Sequence, residues 1–467
     1  PHMPWSELPI HFPTAPTPWP AGSARRIAGV SSFGFSGTNA HIVLEASPEP
    51  SLEVSPSAET AAAQGERPVC LLPLSARSAG SLEALIRLYV AFLKPAQGSE
   101  TSAAPPLEAI CYTAARRRNH HDHRLAVIGR TDAEVAERLE RFLDGSLERG
   151  VAADHHPTGQ PRRVVFVFPG QGSQWLGMGR QLLAQEGVFR EKLEQCEAAM
   201  APFVSWSLRE ALEKDEAYLR RIDMIQPMIW ALQVSLAALW RSYGVEPDAV
   251  VGHSLGEVAA ACVAGALSLE DGARIICRRS QLLRTVSGQG AMLLVERTMA
   301  QAQEALSGYE AQVSIAVSNS PRTTVLSGGV EALQAIASRL EAEEVFCRWV
   351  KVDVASHSPQ MDALKGELQE ALSGVKPHGG RVVMYSTVRG RVVEGEELSA
   401  GYWVENLREP VLFGKAVEGL SASGHEVFVE LSPHPVLLPS VEECLREAGR
   451  AGVVVASMRR EEDEREV

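Results

Sequence analysis

The clearest chemical pattern in the chain is a G-x-S-x-G motif at residues 252–256. A short buried strand is predicted before it at 248–251, and a helix of small residues is predicted to follow at 257–264. In this context the motif predicts a nucleophile elbow, a tight turn that presents the hydroxyl of Ser254 at a helix N-terminus. The flanking glycines avoid a clash between strand and helix, and the backbone N–H of Leu255 can then stabilise an oxyanion. A purely structural glycine turn is the alternative.

A serine hydroxyl is a weak nucleophile at neutral pH and needs a base within hydrogen-bonding reach. His357 is the favoured base, because it follows a predicted strand at a junction between domains, where clefts form. His434 lies in a loop between two prolines and is the second candidate. His253 is adjacent to the serine, but its side chain should diverge from the hydroxyl and serve the structure.

The elements that position these residues follow an α/β order. The continuous apolar run at 164–168 is typical of a buried strand in a parallel sheet. A glycine-rich turn follows at 169–175, but no G-K-[ST] signature of a phosphate-binding loop accompanies it. Such a turn can instead bring backbone N–H groups close to a reacting carbonyl. Helices are predicted at 227–240, with a proline in the first turn, and at 271–283, and further strands at 382–385, 427–430 and 453–455.

The pattern changes between residues 290 and 353. Strands are predicted at 290–296, 312–317, 322–328 and 346–353, with helices at 298–308 and 330–342. This β-α-β-β-α-β order is the ferredoxin-like unit. The predicted fold is therefore α/β, with a large hydrolase-like parallel-sheet domain and an inserted ferredoxin-like small subdomain.

The N-terminal third has a different organisation. A proline-rich extended segment is predicted at 4–30, a flexible connector at 48–67 and a small α/β linker domain at 68–150. The basic and histidine-rich cluster 116–123 is interpreted as a polar stretch leading into a strand, since no ligand partner lies at a fixed offset. At the other end of the chain, the sequence predicts a solvated charge run at 459–465.

Bulk properties exclude several classes of function. The net charge of −13 argues against a nucleic-acid footprint, and no apolar run is expected to span a bilayer. The seven cysteines are scattered without a C-x-x-C pair, which favours reduced thiols in the cytoplasm and no structural zinc. No metal and no bound cofactor are expected.

Two parts of the chain resemble known families. Residues 37–41, GTNAH, resemble the C-terminal end of a type I ketosynthase, in which the counterpart of His41 assists condensation. Since the ketosynthase cysteine and the rest of that fold are missing, no condensation is expected. Five ordered motifs resemble the acyltransferase domain of modular type I polyketide synthases: PGQGSQW at 169–175, GHSLGE at 252–257, RRSQLL at 278–283, VASHSPQMD at 354–362 and YWVENLREPV at 402–411.

The resemblance implies a division of the chain into domains. The division comprises a ketosynthase C-terminal remnant at 1–47, a ketosynthase-to-acyltransferase linker domain at 48–160, a large acyltransferase subdomain at 161–289 and 355–457, a ferredoxin-like small subdomain at 290–354, and the start of a post-acyltransferase linker at 458–467.

The same resemblance implies catalytic roles. Ser254 would carry the acyl group as an ester, and His357 would move its proton to and from the thiol. The backbone N–H groups of Gln171 and Leu255 would form the oxyanion hole. The backbone carbonyl of Asn406 would orient the His357 ring, in place of the acid of a hydrolase triad.

Other residues are implied to bind the substrate. Arg279 would hold the free carboxylate of a dicarboxylic acyl group, because a guanidinium can bind both oxygens. Its neighbour Arg278 is the better candidate for a surface arginine. Gln174, Val354 and Ser356 would complete the substrate site.

The predicted substrate follows from residues 354–357, Val-Ala-Ser-His. Many methylmalonyl-selective relatives have Tyr-Ala-Ser-His there, and many malonyl-selective ones have His-Ala-Phe-His. Ser356 leaves room for an α-substituent and Val354 widens the site, whereas Leu255 is more usual in malonyl-type enzymes. The resulting order is methylmalonyl, then malonyl, then a bulkier unit.

The implied donor is acyl-CoA, and the implied acceptor is the phosphopantetheine thiol of an acyl carrier protein. The ketosynthase of the same synthase chain is the other expected partner, with no nucleic acid and no membrane. A serine hydrolase or thioesterase with a similar elbow is the alternative function, and residues 1–160 could serve as a docking platform.

Overall fold

The computed structural model describes residues 26–35, 37–46, 67–94, 105–157, 161–214, 221–352 and 354–467, together with positions 14, 15, 159 and 219. The predictions for the extended segment at 4–30 and the connector at 48–67 fall almost entirely outside these residues. The chain divides into two compact units, Pro1–Arg67 and Pro68–Val467.

The strands are β1 (Ile27–Phe33), β2 (Asn39–Glu45), β3 (Cys70–Ala76), β4 (His123–Gly129), β5 (Val151–His155), β6 (Arg163–Phe168), β7 (Ala249–Gly252), β8 (Ala291–Val295), β9 (Val313–Ser320), β10 (Thr323–Gly328), β11 (Cys347–Trp349), β12 (Val383–Ser386), β13 (Arg391–Val393), β14 (His425–Glu430) and β15 (Val453–Ala456). The α-helices are α1 (Ala79–Leu93), α2 (Leu107–Arg116), α3 (Asp132–Leu143), α4 (Arg180–Gln185), α5 (Gly187–Met200), α6 (Leu208–Lys214), α7 (Ile222–Ser242), α8 (Gly256–Ala264), α9 (Leu269–Arg284), α10 (Met299–Ala305), α11 (Val330–Ala342), α12 (Lys365–Ala371), α13 (Ala400–Arg408), α14 (Phe413–Ala422) and α15 (Leu438–Glu447).

The first unit contains an antiparallel hairpin of β1 and β2. His41 lies opposite Ser31 in this hairpin, and its Nδ1 is 2.7 Å from the Ser31 Oγ. Both residues are exposed, so the histidine of the ketosynthase-like motif has no buried catalytic environment within the described hairpin.

The second unit begins with a small α/β layer. Strands β3, β4 and β5 form an antiparallel sheet, and alternate residues of β3, including Leu72 and Leu74, face its core. Helices α1 and α3 each begin at a hydroxyl cap: Ser78 accepts the N–H of Ser81, and Thr131 that of Glu134. These caps satisfy N–H groups that a helix leaves unpaired at its start.

The large domain is built on a six-stranded sheet in the order β13-β12-β7-β6-β14-β15. Strands β12, β7, β6, β14 and β15 pair in parallel, and β13 adds an antiparallel edge. Residues 165–168 of β6 are all fully buried, as a central parallel strand with helices on both faces requires. The carboxyl ends of β6 and β7 lead directly into the two predicted glycine-rich turns.

Helix α7 departs from the prediction in two respects. It begins at Ile222, so Pro227 lies inside the helix rather than in its first turn. A proline at the sixth position removes one backbone hydrogen bond, which the packing of this buried helix tolerates. The 21-residue helix is also long and apolar enough to cross a membrane, contrary to expectation, but 94% of its apolar window is buried. That burial identifies it as a core helix.

The inserted subdomain is a four-stranded antiparallel sheet in the order β11-β8-β10-β9, with helices α10 and α11. This is the strand order of a ferredoxin-like unit, and Leu293, Leu326 and Ile336 lie in its own core. The predicted fold class is therefore confirmed. The residue boundaries of the domains stay predictions.

The prediction of a solvated charge run at 459–465 holds for residues 459–461, which are exposed, and is wrong for the residues that follow. The side chain of Glu464 is buried, and it accepts the N–H groups of Gly179 (2.5 Å) and Leu182 (3.0 Å) at the start of α4. Because α4 has no capping side chain of its own, this carboxylate satisfies N–H groups that would otherwise be left unpaired.

The rest of this C-terminal strap, residues 458–466, forms ion pairs with both neighbouring domains. The pairs are Arg149–Glu462, Arg130–Asp463 and Arg130–Glu466 toward the linker domain, and Arg465–Glu186 toward the large domain. The charged side chains of residues 462–466 therefore bind other parts of the chain, whereas residues 459–461 are exposed.

Candidate active site

Ser254 lies in the turn between β7 and α8, as the motif predicts. Its φ is +53°, in the left-handed region that non-glycine residues rarely adopt. A Cβ on Gly252 would lie 2.2 Å from the Glu257 backbone nitrogen, and one on Gly256 would lie 2.0 Å from the Phe168 carbonyl oxygen. The strand and helix are therefore as close as an elbow requires, and only glycine fits at these two positions flanking the serine.

The structure brings His357 to this serine. The Ser254 hydroxyl lies 2.8 Å from the His357 Nε2, while the His357 Nδ1 lies 2.8 Å from the backbone carbonyl oxygen of Glu409. With Nδ1 donating to that carbonyl, Nε2 is left as the acceptor for the serine proton. Burial and the positive charge of Arg279 lower the pKa of His357 to about 3, so the ring is neutral and ready to act as a base at neutral pH.

The predicted partner of this histidine is wrong by three residues. Asn406 lies within α13, and its side-chain Nδ2 donates to the Ser254 carbonyl (3.1 Å) and to Glu257 (2.9 Å). The ring is oriented instead by the carbonyl of Glu409, just past the end of α13 at Arg408. The last backbone carbonyls of a helix have no hydrogen-bond partner within the helix. Those at the C-terminal end of α13 can therefore accept hydrogen bonds from the histidine. Asn406 therefore supports the nucleophile turn and not the base.

Arg279 lies beside the nucleophile in the interior. Its side chain is 2% exposed, its Nη2 donates to the Ser254 Oγ (3.1 Å) and its Nη1 donates to Gln226 (2.8 Å). Among the residues that the structure describes, no carboxylate pairs with it, and its buried Nε has no partner. Burial lowers the pKa of Arg279 to about 10, which still leaves it charged at neutral pH.

The neighbouring arginine is different, as predicted from the sequence. Arg278 is half-buried, with its guanidinium carbon 5.4 Å from the centre of the Phe203 ring and a hydrogen bond to Gln281. Of the two adjacent arginines, Arg279 therefore contacts the nucleophilic serine and Arg278 does not.

The predicted oxyanion groups lie on the two turns that follow β6 and β7. Gly170 packs against the elbow, since a Cβ there would lie 4.0 Å from the Ser254 Cβ. In the described part of the chain, the N–H groups of Gln171 and Leu255 make no backbone hydrogen bond. Gln174 folds back within the first turn, where its side-chain oxygen accepts the Gly172 N–H at 2.8 Å.

The two other histidines occupy separate environments. The His253 Nε2 lies 3.0 Å from the side-chain oxygen of Asn319 on β9, and burial lowers the pKa of His253 to about 4. His434 accepts the backbone N–H of Arg460 on the C-terminal strap (3.2 Å), and no hydrogen bond joins it to Ser254 in the described structure.

The predicted specificity residues precede the base. Val354 is buried in the core of the large domain, and Ser356 is half-buried next to His357. His357 itself has a left-handed φ of +61°, and its backbone carbonyl accepts a hydrogen bond from Ser314 of β9 (2.6 Å). Across the described residues, no three His, Cys, Asp or Glu side chains gather as metal ligands.

Three residues of the site were not predicted from the sequence. Gln226, the partner of Arg279, is a buried amide in an apolar helix, and that mismatch was the available signal. Glu257 closes the GHSLGE motif and is a fully buried carboxylate. Glu409 acts through its backbone carbonyl, which no side-chain pattern reveals.

Two family models match the chain. Residues 165–467 match the model described as Acyl transferase domain, and residues 1–128 match Ketoacyl-synthetase C-terminal extension. Erythronolide synthase EryA2 of Saccharopolyspora erythraea is 42% identical over 467 residues, which are 99% of this chain but only 13% of that protein. The chain thus spans a small part of the length of this relative.

Solved structures agree with the sequence matches. The acyltransferase domain from module 8 of the salinomycin polyketide synthase is 36% identical, with a TM-score of 0.79 over 84% of this chain and 92% of that one. The acyl transferase domain of SpnD in complex with 2-(pent-4-yn-1-yl)malonyl is 26% identical, with a TM-score of 0.75 over 86% and 93% of the two chains. The chain therefore belongs to the acyl transferase domain family, in the form that modular polyketide synthases carry alongside a ketoacyl-synthetase C-terminal extension.

Proposed function

We propose that the chain loads a dicarboxylic extender unit from acyl-CoA onto Ser254 and passes it to the phosphopantetheine thiol of an acyl carrier protein. The observation that carries this proposal is Arg279. It is a buried cation with no carboxylate partner among the described residues, and it lies 3.1 Å from the nucleophile. A buried charge is costly unless it is paired, so the site favours a ligand that brings a carboxylate with it.

The chemistry follows from the positions of the protons. The Ser254 Oγ attacks the thioester carbonyl and gives its proton to the His357 Nε2, while the Gln171 and Leu255 N–H groups face the developing oxyanion. The C–S bond then breaks, and the imidazolium returns the proton to the leaving CoA thiolate. The carrier-protein thiol reverses these steps, so that the serine recovers its proton and the acyl group leaves as a new thioester.

The identity of the extender unit is part of the same proposal. Methylmalonyl is favoured, because the serine at 356 and the valine at 354 are smaller than the phenylalanine, tyrosine or histidine found at these positions in many related enzymes. Malonyl is second. The SpnD neighbour was solved with an α-substituted malonyl group, which supports an acyl chain of this class.

The hydrolase alternative is less well supported. A hydrolase triad would place a carboxylate at the His357 Nδ1, whereas in this chain that atom bonds the backbone carbonyl of Glu409. A hydrolase of simple esters would also have no use for a buried Arg279.

Mass spectrometry of the intact chain tests the proposal. After mixing with methylmalonyl-CoA or malonyl-CoA, we expect a mass gain that persists in water and moves to a carrier protein when one is added. A chain that releases the free acid without accumulating an adduct, and transfers nothing, would be a hydrolase.

A further inference from the structure

Behind the nucleophile turn, the carboxylate of Glu257 is fully buried and makes no ion pair with any described residue. It accepts four hydrogen bonds instead. The donors are the Thr387 N–H (2.6 Å), the Thr387 hydroxyl (2.9 Å), the Tyr402 hydroxyl (2.6 Å) and the Asn406 Nδ2 (2.9 Å). None of these groups is charged, so the carboxylate is held by dipoles alone.

Two of these donors also hold the elbow itself. The single proton of the Thr387 hydroxyl is shared between Glu257 and the Gly252 carbonyl oxygen, which lies 3.0 Å from that hydroxyl, whereas the Asn406 Nδ2 has a second proton for the Ser254 carbonyl oxygen at 3.1 Å. Each oxygen of Glu257 is therefore linked through one side chain to one carbonyl of the turn. Because Ser254 adopts a left-handed φ that costs energy, the turn needs fixed surroundings to keep it there.

The same carboxylate is linked to His357 indirectly, by hydrogen bonds to side chains of helix α13. Tyr402 and Asn406 both lie on this helix, and the carbonyls at its C-terminal end bond His357. The Leu407 carbonyl accepts the His357 backbone N–H (3.1 Å), and the Glu409 carbonyl lies 2.8 Å from the ring Nδ1. The nucleophile turn and the helix that orients the base are thus joined at one side chain.

We propose that Glu257 is a positioning residue that sets the distance between Ser254 and His357. A hydrophobic core does not need a carboxylate for its stability. Replacing buried charged residues with well-packed apolar ones often leaves the stability unchanged or raises it. A buried carboxylate whose two oxygens both accept hydrogen bonds, however, holds its donors in one geometry. The proposal concerns the reactivity of the serine, and its link to acyl transfer rests on the proposed function.

The test compares the unmodified 467-residue chain with Glu257→Gln, which keeps the volume but replaces one acceptor oxygen with an NH₂ donor. A small neutral fluorophosphonate probes the serine without any acyl group, because the Ser254 Oγ–P bond forms, fluoride leaves and His357 takes the proton. We expect labelling of Ser254 to slow at least tenfold. Loading from methylmalonyl-CoA should show the same loss in its maximal rate, with the half-saturating concentration unchanged within twofold, because Arg279 is untouched.

Glu430 provides the matched control. It is equally buried and accepts hydrogen bonds from the Ser432 hydroxyl and from the N–H groups of Val436, Leu437 and Leu438, at 2.7–3.0 Å. None of these partners bonds the elbow, so Glu430→Gln should lower Tm and leave the labelling rate within twofold of wild type.

Three results would overturn the proposal. One is wild-type labelling by Glu257→Gln, and another is an equal slowing in Glu430→Gln at the same loss of Tm. If Glu257→Gln does not fold, Thr387→Val is used in its place, and labelling of Ser254 should slow at least fivefold. The third refuting result is a labelling rate in Thr387→Val that equals that of the wild type. A wild type that is labelled by the fluorophosphonate but takes no acyl group from CoA would refute the proposed function and leave this inference standing.

Discussion

Replacing Arg279 with alanine should invert the acyl preference of the chain. The guanidinium is 2% exposed and lies 3.1 Å from the Ser254 Oγ, so a carboxylate on the acyl group must share its buried environment. Removing one partner of a buried ion pair costs about 3–5 kcal/mol, because the other charge stays buried and unpaired. Since each 1.36 kcal/mol is a factor of ten in rate, loading from malonyl-type CoAs should fall roughly 10²–10⁴-fold.

Acyl groups without a second charge should behave in the opposite way. Acetyl- and propionyl-CoA bring no carboxylate to pair, and in the wild type they leave Arg279 buried without a counter-ion. Arg279→Ala removes that penalty, so these substrates should load as fast as on the wild type or faster.

The assay is the rate of adduct formation, followed by intact mass, for malonyl-, methylmalonyl-, acetyl- and propionyl-CoA. Arg278→Ala is the matched control, because this neighbour packs on Phe203 and should leave the preference unchanged. A uniform drop across both acyl classes in Arg279→Ala would refute the reasoning, since it would make the arginine a structural residue.

Three further outcomes are expected. Ser254→Ala should keep its Tm within a few degrees and form no stable acyl adduct, and an adduct that persists would place the nucleophile elsewhere. His357→Ala should slow loading and transfer by ~10²–10⁴-fold, whereas His434→Ala should change either rate by less than fivefold; similar losses in both folded variants would contradict the assignment of the base. Stability should fall with acidification, because the pKa values of His357 (about 3) and His253 (about 4) lie below the ~6.5 of the unfolded chain. The unfolded state then binds more protons than the folded state below pH ~6.5. Protonation of each histidine in the unfolded chain should therefore lower the free energy of unfolding by about 2 kcal/mol at pH 5. Thermal melts at pH 7.5 and 5.0 check this, and a His357→Gln variant with the full wild-type pH dependence would exclude that histidine as a source.

The nucleophile elbow could be predicted from the sequence because residues next to Ser254 in the chain determine it. Two glycines, an apolar strand and a small-residue helix surround Ser254, and the glycines are required by close contacts between that strand, that helix and the end of β6. The β-α-β-β-α-β succession of elements in the small subdomain was also predictable, since it follows from the periodicity of consecutive segments. Both features leave a continuous pattern along the chain.

The missed features depend on distant segments. A carbonyl can orient His357 from any residue near the end of α13, and only the position of that helix selects Glu409 over Asn406. In the same way, Glu464 has the composition of an exposed tail residue, and its burial depends on the start of α4, 285 positions away along the chain. Side-chain type carries no information about either contact.

The C-terminal strap has a consequence for moving this domain between synthases. A transplant cut after β15 would keep all six strands of the large sheet, together with Ser254, His357 and Arg279. It would, however, discard the carboxylate that caps α4, and α4 directly follows the turn that carries Gln171. It would also discard the acidic side chains that tie the linker domain to the rest. We therefore expect a transplant between synthases to require residues 68–466, so that the linker domain and the C-terminal strap are moved together with the acyltransferase domain.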